Sequence, residues 1–251
     1  MSGRRRTPVE ADAPDPVTCT VDRRLQMLHR VPFFRPLSHA EITDINRSFR
    51  ARSVQPGEVI YAAGAPAEHL FVIAIGKVKL VRHTLGGQDV LLDILSGGDL
   101  FGSLAVLGDA HYPDTAQAQT ACCVLAVSAS DFRAILHNHP VAAIGALEFV
   151  AARLQDAHES VSRLSSATAE ARIAAILIKL AQKLGHEQDG AVLIQMPLSR
   201  QDIAEMTGTT VETASRVMSQ FRKDGLIDSG RQWVSLTNPD VLAQIAEIEQ
   251  T

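Results

Sequence analysis

The stretch from Ser199 to Phe221 constrains the fold more than any other part of the chain, because it holds two short helical segments around a single glycine. Ser199 suits the N-cap position of the first segment, and Asp202 can return the hydrogen bond in a variant of the capping box. Gly208 permits a tight turn, and Thr209 or Thr210 can cap the second segment. The pattern predicts two helices joined by a glycine turn.

The second segment has two chemically different faces, since its residues advance by about 100° each around a helix. The apolar face consists of Ala214, Val217, Met218 and Phe221. The opposite face carries Glu212, Ser215 and Arg216, which we call the recognition face. Arginine binds guanine O6 and N7 with two hydrogen bonds, and glutamate accepts one from cytosine N4. The recognition face therefore predicts base reading in the major groove of DNA.

The residues that follow favour a helix-turn-helix over an ordinary helical hairpin. In an ordinary hairpin, Glu212 and Arg216 would form only a weak, solvated pair one helical turn apart. Instead, Asp224–Ile227 and Arg231–Leu236 have the pattern of a turn and a short β-hairpin, which is the wing of a winged helix. The sequence therefore predicts a winged helix-turn-helix that binds double-stranded DNA.

Charge alone does not mark the chain as a nucleic-acid binder. The 251 residues carry a net charge of −4, and the segment from Pro197 to Trp233 contains five cationic and five acidic residues. Contacts with DNA phosphates must then come from individual cationic side chains placed near the DNA backbone. Specific binding should depend strongly on salt concentration. The residues expected to hold the DNA backbone are Arg200, Thr210, Arg222 and Lys223.

Chain length, cysteine content and the lack of long apolar runs limit the classes of protein to which the chain can belong. A chain of 251 residues predicts two domains. The three cysteines, Cys19, Cys122 and Cys123, predict no disulfide framework, and neighbours in one strand such as Cys122 and Cys123 cannot easily pair with each other. No apolar run approaches the roughly 20 residues of a membrane span, and the early arginines precede no apolar signal segment. A cytoplasmic protein with no membrane partner is expected.

The first half of the chain predicts an arm followed by a β-rich domain. Residues 1–22, rich in proline, alanine and charge, are expected to be a disordered arm. Residues 23–140 are expected to form a sensor domain, because short β-rich runs alternate with glycine turns as in a β-sandwich or barrel. The runs are Glu58–Tyr61, Leu70–Ile75, Lys77–His83, Asp89–Leu95 and Ala121–Val127.

Residues 141–167 are expected to be a dimerisation helix and hinge, and residues 168–251 the DNA-binding domain. The helix has apolar residues at alternating spacings of three and four, which is the seam of a coiled coil. We call this seam the dimer face: Leu147, Val150, Leu154, Ala157, Val161 and Leu164. The alternative is a helix packed on its own domain. Ser165–Ala167 interrupts the seam as a hinge, Thr168 can cap the next helix, and Gly185 can end it.

This order of parts resembles the Crp/Fnr family of bacterial transcription regulators over residues 23–240. Its most specific motifs are Gly57–Tyr61, Gly98–Gly102 and Val211–Arg216, the last similar to the recognition signature of the Fnr branch. The resemblance implies an α+β fold, with a cyclic-nucleotide-binding-like β-roll (a jelly roll), a long dimerisation helix and a C-terminal winged helix-turn-helix. It also implies a homodimer, TTGAT-like half-sites in a palindrome, and RNA polymerase as protein partner.

The chain departs from the family where known effectors bind. The resemblance places an effector pocket at Gly102, Ser103, Asp114 and Thr115, but cyclic-AMP binders carry a ribose-binding Glu and a phosphate-binding Arg in this segment. Here Ser103 and either Pro113 or Asp114 take those places. A carboxylate would repel a cyclic phosphate, so cyclic AMP is disfavoured. A [4Fe–4S] cluster held by four thiolates is excluded, because the chain has only three cysteines.

The effector therefore stays open. Haem is one alternative, because seven histidines lie in or near the sensor half, although none has a spacing that marks an axial ligand: His29, His39, His69, His83, His111, His137 and His139. A redox thiol at Cys19 or Cys122 is another. A winged helix that docks protein is the competing class, and an enzyme is disfavoured because no nucleophile elbow, metal-ligand pair or phosphate loop is present.

Overall fold

The computed structural model describes residues 19–84, 89–102, 111–230 and 232–247, without the side chains of residues 163–166 and 247. Two compact units divide the chain, and the boundary between them falls between Ala157 and His158. In the described ranges, no helix is both long enough and apolar enough to cross a membrane. Residues 1–18 of the predicted disordered arm lie outside these ranges. The last two residues of the predicted arm, Val21 and Asp22, are helical.

The first unit begins with helices that cover one side of a β-roll. Thr20 caps the first helix by accepting a hydrogen bond from the Arg23 amide at 3.3 Å, and Ser38 and Glu41 form a complete capping box on the second. The helical elements are α1 (Val21–Arg30), a 3-10 turn (Pro32–Phe34), α2 (His39–Asn46), α3 (Ala129–Asn138) and α4 (Pro140–Ser166).

Eight strands form two antiparallel four-stranded sheets, with the orders β1-β8-β3-β6 and β2-β7-β4-β5. The strands are β1 (Arg50–Val54), β2 (Val59–Tyr61), β3 (His69–Ile75), β4 (Val78–His83), β5 (Asp89–Leu95), β6 (Leu100–Gly102), β7 (Thr115–Ala118) and β8 (Cys122–Ser128). All five predicted runs are strands to within one residue at either end, whereas β1, β6 and β7 are additional. The predicted jelly-roll-like β domain is confirmed.

Strands β3 and β8 are buried on both faces, so alternate residues enter two separate cores. Phe71, Ile73 and Val124 lie in the core between the sheets. Leu70, Val72 and Leu125 lie in the second core, under α1, α2, α3 and the start of α4. The second core therefore fixes the helices to the central strands of the roll.

The structure corrects the expectation about the cysteines. Cys19 and Cys123 form a disulfide across 104 residues, with Cα atoms 6.2 Å apart, and Cys122 is a buried free thiol. The bond joins residues far apart along the chain, because Cys19, placed in the arm by composition, packs against the core that contains Cys123.

The second unit contains the predicted two-helix element and a third antiparallel sheet of order β11-β12-β10-β9. Its elements are α5 (Ala169–Leu184), β9 (Gly185–Gln188), β10 (Ala191–Gln195), α6 (Arg200–Thr207), α7 (Val211–Lys223), β11 (Ile227–Gly230), β12 (Trp233–Leu236) and α8 (Pro239–Glu247). Strands β11 and β12 are the predicted wing. Thr168 caps α5 as expected. Ser165 and Ser166 still belong to α4, so the break between α4 and α5 is narrower than the predicted hinge.

Candidate nucleic-acid interface and effector site

A full capping box starts helix α6. The Ser199 hydroxyl accepts from the Asp202 amide at 3.0 Å, and the Asp202 carboxylate accepts from the Ser199 amide at 2.7 Å. Asp202 is buried, and its carboxylate also accepts from the Ser199 hydroxyl at 2.7 Å. These bonds satisfy donors that the first helical turn leaves free, so α6 has a fixed start.

The turn between the helices depends on Gly208. Its φ of 60° and ψ of 39° are left-handed, a conformation that glycine adopts at little cost. The Thr209 amide then donates to the Ala204 carbonyl at 3.0 Å, and Thr210 caps α7 by accepting from the Thr213 amide at 3.2 Å. Of the two threonines considered, Thr210 is therefore the cap. The glycine turn thus fixes where α7 starts.

Helix α7 presents the recognition face to solvent. Ala214, Val217, Met218 and Phe221 are buried, as the spacing predicts. On the other side, Glu212 and Arg216 are exposed and Ser215 is half-buried. Within the described part of the chain, no hydrogen bond or ion pair joins Glu212 to Arg216. A carboxylate and a guanidinium on one rigid, exposed face are available for an outside partner.

The four residues expected to hold the DNA backbone surround these helices. Thr210, Arg222 and Lys223 are exposed at the two ends of α7. Arg200, at the start of α6, is half-buried, and its Nη2 donates to the Ser229 hydroxyl on β11 at 3.5 Å. Burial, and then the nearby Arg222 charge, lower the pKa of Arg200. Two guanidiniums therefore lie close together beside the wing, and the sequence alone did not reveal the contact with Ser229.

The dimer face of α4 is uncovered in the single chain. Leu147 is 72% exposed, Leu154 is 56% exposed and Val161 is 63% exposed. Val150 and Ala157 are also exposed, and Leu164 lies in α4 with its side chain outside the described residues. Val141 and Ile144, which lie outside the predicted seam, extend the exposed apolar surface toward the start of the helix.

The opposite side of α4 packs on its own unit near the start of the helix. Ala142 and Ala146 are buried there, and Gly145 lies so close to Phe33 that an added Cβ would be 2.9 Å from the Phe33 Cβ. The alternative interpretation, a helix packed on its own domain, therefore applies to this side near the start of α4, and dimerisation through the other side stays a prediction.

Asp114 of the predicted effector pocket contacts an aromatic cluster inside the roll. Tyr61 stacks on Tyr112 at a ring-centroid distance of 3.8 Å, and the Phe71 and Phe101 rings lie 5.7 and 6.1 Å from Tyr61. The Tyr61 hydroxyl donates to the Asp114 carboxylate at 2.9 Å. The sequence did not indicate this cluster, because its rings come from four separated strands and turns.

Burial and nearby cations act in opposite directions on the Asp114 carboxyl. Burial raises the pKa of Asp114, although the Tyr61 hydrogen bond and the Arg82 and Arg153 charges oppose the rise. Arg82 and Arg153 themselves donate to the carbonyls of Pro113 and Leu100.

The other predicted pocket residues have local structural contacts. The Thr115 hydroxyl accepts from the Ala63 amide at 3.0 Å, and Gly102 has a φ of 101° that favours glycine. Ser103 lies outside the described residues.

Two of the histidines lie beside carboxylates. The His83 Nδ1 lies 2.6 Å from Asp89, and the His139 Nδ1 lies 3.4 Å from Glu41. In the described part of the chain, no group of three or more His, Cys, Asp or Glu side chains is placed to hold a metal ion.

Comparisons with known proteins agree with both halves of this description. A family model described as the cyclic nucleotide-binding domain matches residues 51–139, and one described as the Crp-like helix-turn-helix domain matches residues 171–245. The chain is 31% identical over 216 residues to the cyclic AMP receptor protein of Thermus thermophilus, covering 86% of this chain and 96% of that protein.

Two further relatives span both halves. The chain is 26% identical over 197 residues to the fumarate and nitrate reduction regulatory protein of Escherichia coli, covering 78% of each chain. The solved structure of FixK2 from Bradyrhizobium japonicum matches with a TM-score of 0.70 and 25% identity, over 78% of this chain and 96% of that one. With a β-roll, a long helix and a winged helix-turn-helix in this order, the chain belongs to the Crp/Fnr family of DNA-binding transcription regulators.

Proposed function

We propose that the chain acts as a homodimer that binds a palindrome of TTGAT-like half-sites, with one α7 helix in the major groove of each half-site. The observation that carries this proposal is the recognition face, where Glu212 and Arg216 are exposed while the opposite side of α7 is fully buried. In this arrangement Arg216, Glu212 and Ser215 read bases. Arg200, Thr210, Arg222 and Lys223 hold phosphates.

The dimer face supplies the two-fold axis that a palindrome requires. Large apolar side chains exposed along one side of a long helix are costly in water, and a second copy of the same helix covers them with an identical stripe. In a two-fold dimer, the two recognition helices contact half-sites about one DNA turn, ~34 Å, apart. We assign the sensor role to residues 23–140, dimerisation to 141–167 and DNA binding to 168–251.

The Fnr-like motif at Val211–Arg216 and the similarity to the fumarate and nitrate reduction regulatory protein support the TTGAT assignment. RNA polymerase is the protein partner that a regulator of this kind contacts, and the cytoplasm is where the DNA and the polymerase lie. We propose no catalytic role for the chain.

The effector is proposed to be something other than cyclic AMP. The Asp114 carboxyl, which accepts from the Tyr61 hydroxyl, and the stacked rings of Tyr61 and Tyr112 occupy the region where a cyclic nucleotide would need a phosphate-binding side chain and open space. Haem is one such effector, and a redox thiol is the other. An absorption spectrum of protein purified from cells grown at low oxygen separates the two cases, because a Soret band identifies haem. Calorimetric binding of cyclic AMP would contradict the first part of this proposal.

The test of DNA binding is a gel shift on a duplex with two inverted TTGAT half-sites, titrated with salt. Three cationic backbone residues in each of two protomers predict a slope of log K against log salt concentration of about −5. The control duplex carries scrambled half-sites and should bind more weakly at every salt concentration. Equal affinity for the two duplexes would contradict the site assignment. Absence of salt-dependent DNA binding would favour a winged helix that docks protein.

A further inference from the structure

The disulfide joins the start of helix α1 to the middle of the β-roll. Cys19 is half-buried and directly precedes Thr20, the N-cap residue of α1. Cys123 is fully buried on β8, where it pairs with Ser53 on β1 and Ile75 on β3. The bond therefore connects a terminal element to a central strand of a sheet.

Helix α1 leads directly into the contact that holds α4. Met27 and Leu28 are fully buried in the core under the helices, and the 3-10 turn that follows places Phe33 in the same core. The Phe33 ring centroid lies 5.9 Å from that of Phe149 on α4, and the Phe33 backbone is tightly packed against Gly145 of α4. The position of α1 thus determines the surface on which the start of α4 rests.

The two thiols of the Cys122–Cys123 pair have different environments, because the two side chains point to opposite faces of β8. Cys122 lies in the core between the sheets, and its Sγ donates to the Lys77 and Thr120 carbonyls at 3.2 Å each. Burial raises the pKa of Cys122, which keeps it as an unreactive thiol. Only Cys19 is accessible enough for exchange with an outside thiol.

A disulfide in a protein that acts on DNA in the cytoplasm has a specific meaning, because that compartment keeps structural thiols reduced. Cytoplasmic disulfides, where they occur, are usually transient and redox-sensing. This step rests on the proposed function.

We propose that Cys19–Cys123 is a redox switch of the dimer: the bond fixes α1, α1 holds the start of α4, and reduction by a dithiol weakens dimerisation and DNA binding. A thiolate of the dithiol attacks the Cys19 sulfur, and the Cys123 sulfur leaves and takes up a proton. The second thiol of the reductant then releases Cys19 as a thiol. One dithiol becomes one disulfide while one protein disulfide becomes two thiols, so atoms and electrons balance.

The experiment uses the full chain, purified in air and then kept with or without dithiothreitol. Denatured without reductant, the oxidised protein should show one reactive thiol, that of Cys122, and the reduced protein three. Reduction should lower Tm by about 5 °C or more, because it opens a loop of 104 residues. It should raise both the dimer dissociation constant and the Kd for the TTGAT duplex about fivefold or more.

Variants separate the bond from other effects of the reductant. Cys19→Ser should match the reduced wild type with and without dithiothreitol, and Cys123→Ala should do the same. Cys122→Ala keeps both bonded cysteines and should respond as the wild type does. The switch is overturned if oxidised and reduced wild type have equal dimer dissociation constants, if Cys19→Ser still responds, or if air-purified protein has three free thiols. DNA binding that is absent in both states refutes the proposed function, and the dimer dissociation constant then decides the switch alone.

Discussion

The substitution Leu147→Glu tests the dimer face where it is most exposed. Leu147 is 72% exposed in the single chain, and Val150 and Leu154 beside it are 44% and 56% exposed. Because Leu147 makes so little contact within its own chain, its replacement should leave the folded monomer intact. The dimer, in contrast, should lose a contact that both copies contribute.

The size of the effect follows from the area left uncovered. Burying a whole leucine side chain contributes about 1.5–3 kcal/mol, so covering the exposed part of Leu147 contributes roughly 1–2 kcal/mol. A two-fold axis repeats the contact, which gives roughly 2–4 kcal/mol per dimer. The dimer dissociation constant should then rise roughly 30- to 700-fold. Repulsion between the two glutamates adds to this loss.

Sedimentation equilibrium over a range of concentrations measures this constant, and a thermal melt of the dissociated chain checks its fold. The control is Ala152→Glu, which adds the same charge to an exposed position about 140° away around α4. The control should dimerise as the wild type does. The reasoning is refuted if Leu147→Glu dimerises with wild-type affinity, or if both variants dissociate equally.

Four further substitutions test the other sites. Arg216→Ala should weaken specific DNA binding by about 1–3 kcal/mol, roughly 5- to 150-fold, and relax preference at one base pair, whereas Lys223→Ala should weaken binding to all sequences alike. Fluorescence anisotropy on matched and scrambled duplexes measures the affinities of both variants. An unchanged preference of Arg216→Ala for the matched duplex would contradict a role of Arg216 in base reading. Ser199→Ala removes one half of the α6 capping box and should lower the unfolding free energy by about 1–2 kcal/mol in urea titrations; an unchanged midpoint would contradict the role of the cap. Asp114→Asn keeps an acceptor for the Tyr61 hydroxyl and removes a half-buried charge, so it should raise Tm at neutral pH. Burial raises the pKa of Asp114 above its ordinary 3.8, so the stability it contributes is complete below 3.8 and is lost as pH rises through the raised pKa. Thermal melts across this pH range should show that loss of stability in the wild type and not in Asp114→Asn. The same dependence of Tm on pH in both proteins would contradict this prediction.

Local patterns explain why much of the fold could be predicted from the sequence. The capping box at Ser199 is confirmed because it involves residues three apart, which a linear pattern displays. Strand β5 lies within the predicted bounds, Asp89–Leu95, because its ends are set by nearby glycines and its own apolar residues. These features depend on neighbours along the chain.

The features that the sequence did not predict depend on residues that are neighbours in space but distant along the chain. Strand β1 has only Val54 buried, and it is a strand because it pairs along its full length with β8. Cys19 belongs to a polar, proline-rich segment, yet it bonds to Cys123 across 104 residues. The hydrogen bond from Tyr61 to Asp114 joins residues 53 positions apart. No periodicity in the sequence displays such contacts.

The most direct test of a two-fold DNA reader is the dependence of affinity on half-site spacing. Two duplexes carry the same inverted TTGAT half-sites, one with centres about 34 Å apart and one with about five extra base pairs, half a turn, between them. Two rigidly paired α7 helices predict at least about tenfold weaker binding to the second duplex, because one half-site is rotated away from its helix. Equal affinity for the two duplexes would contradict the account, since it would mean that each recognition helix binds DNA independently.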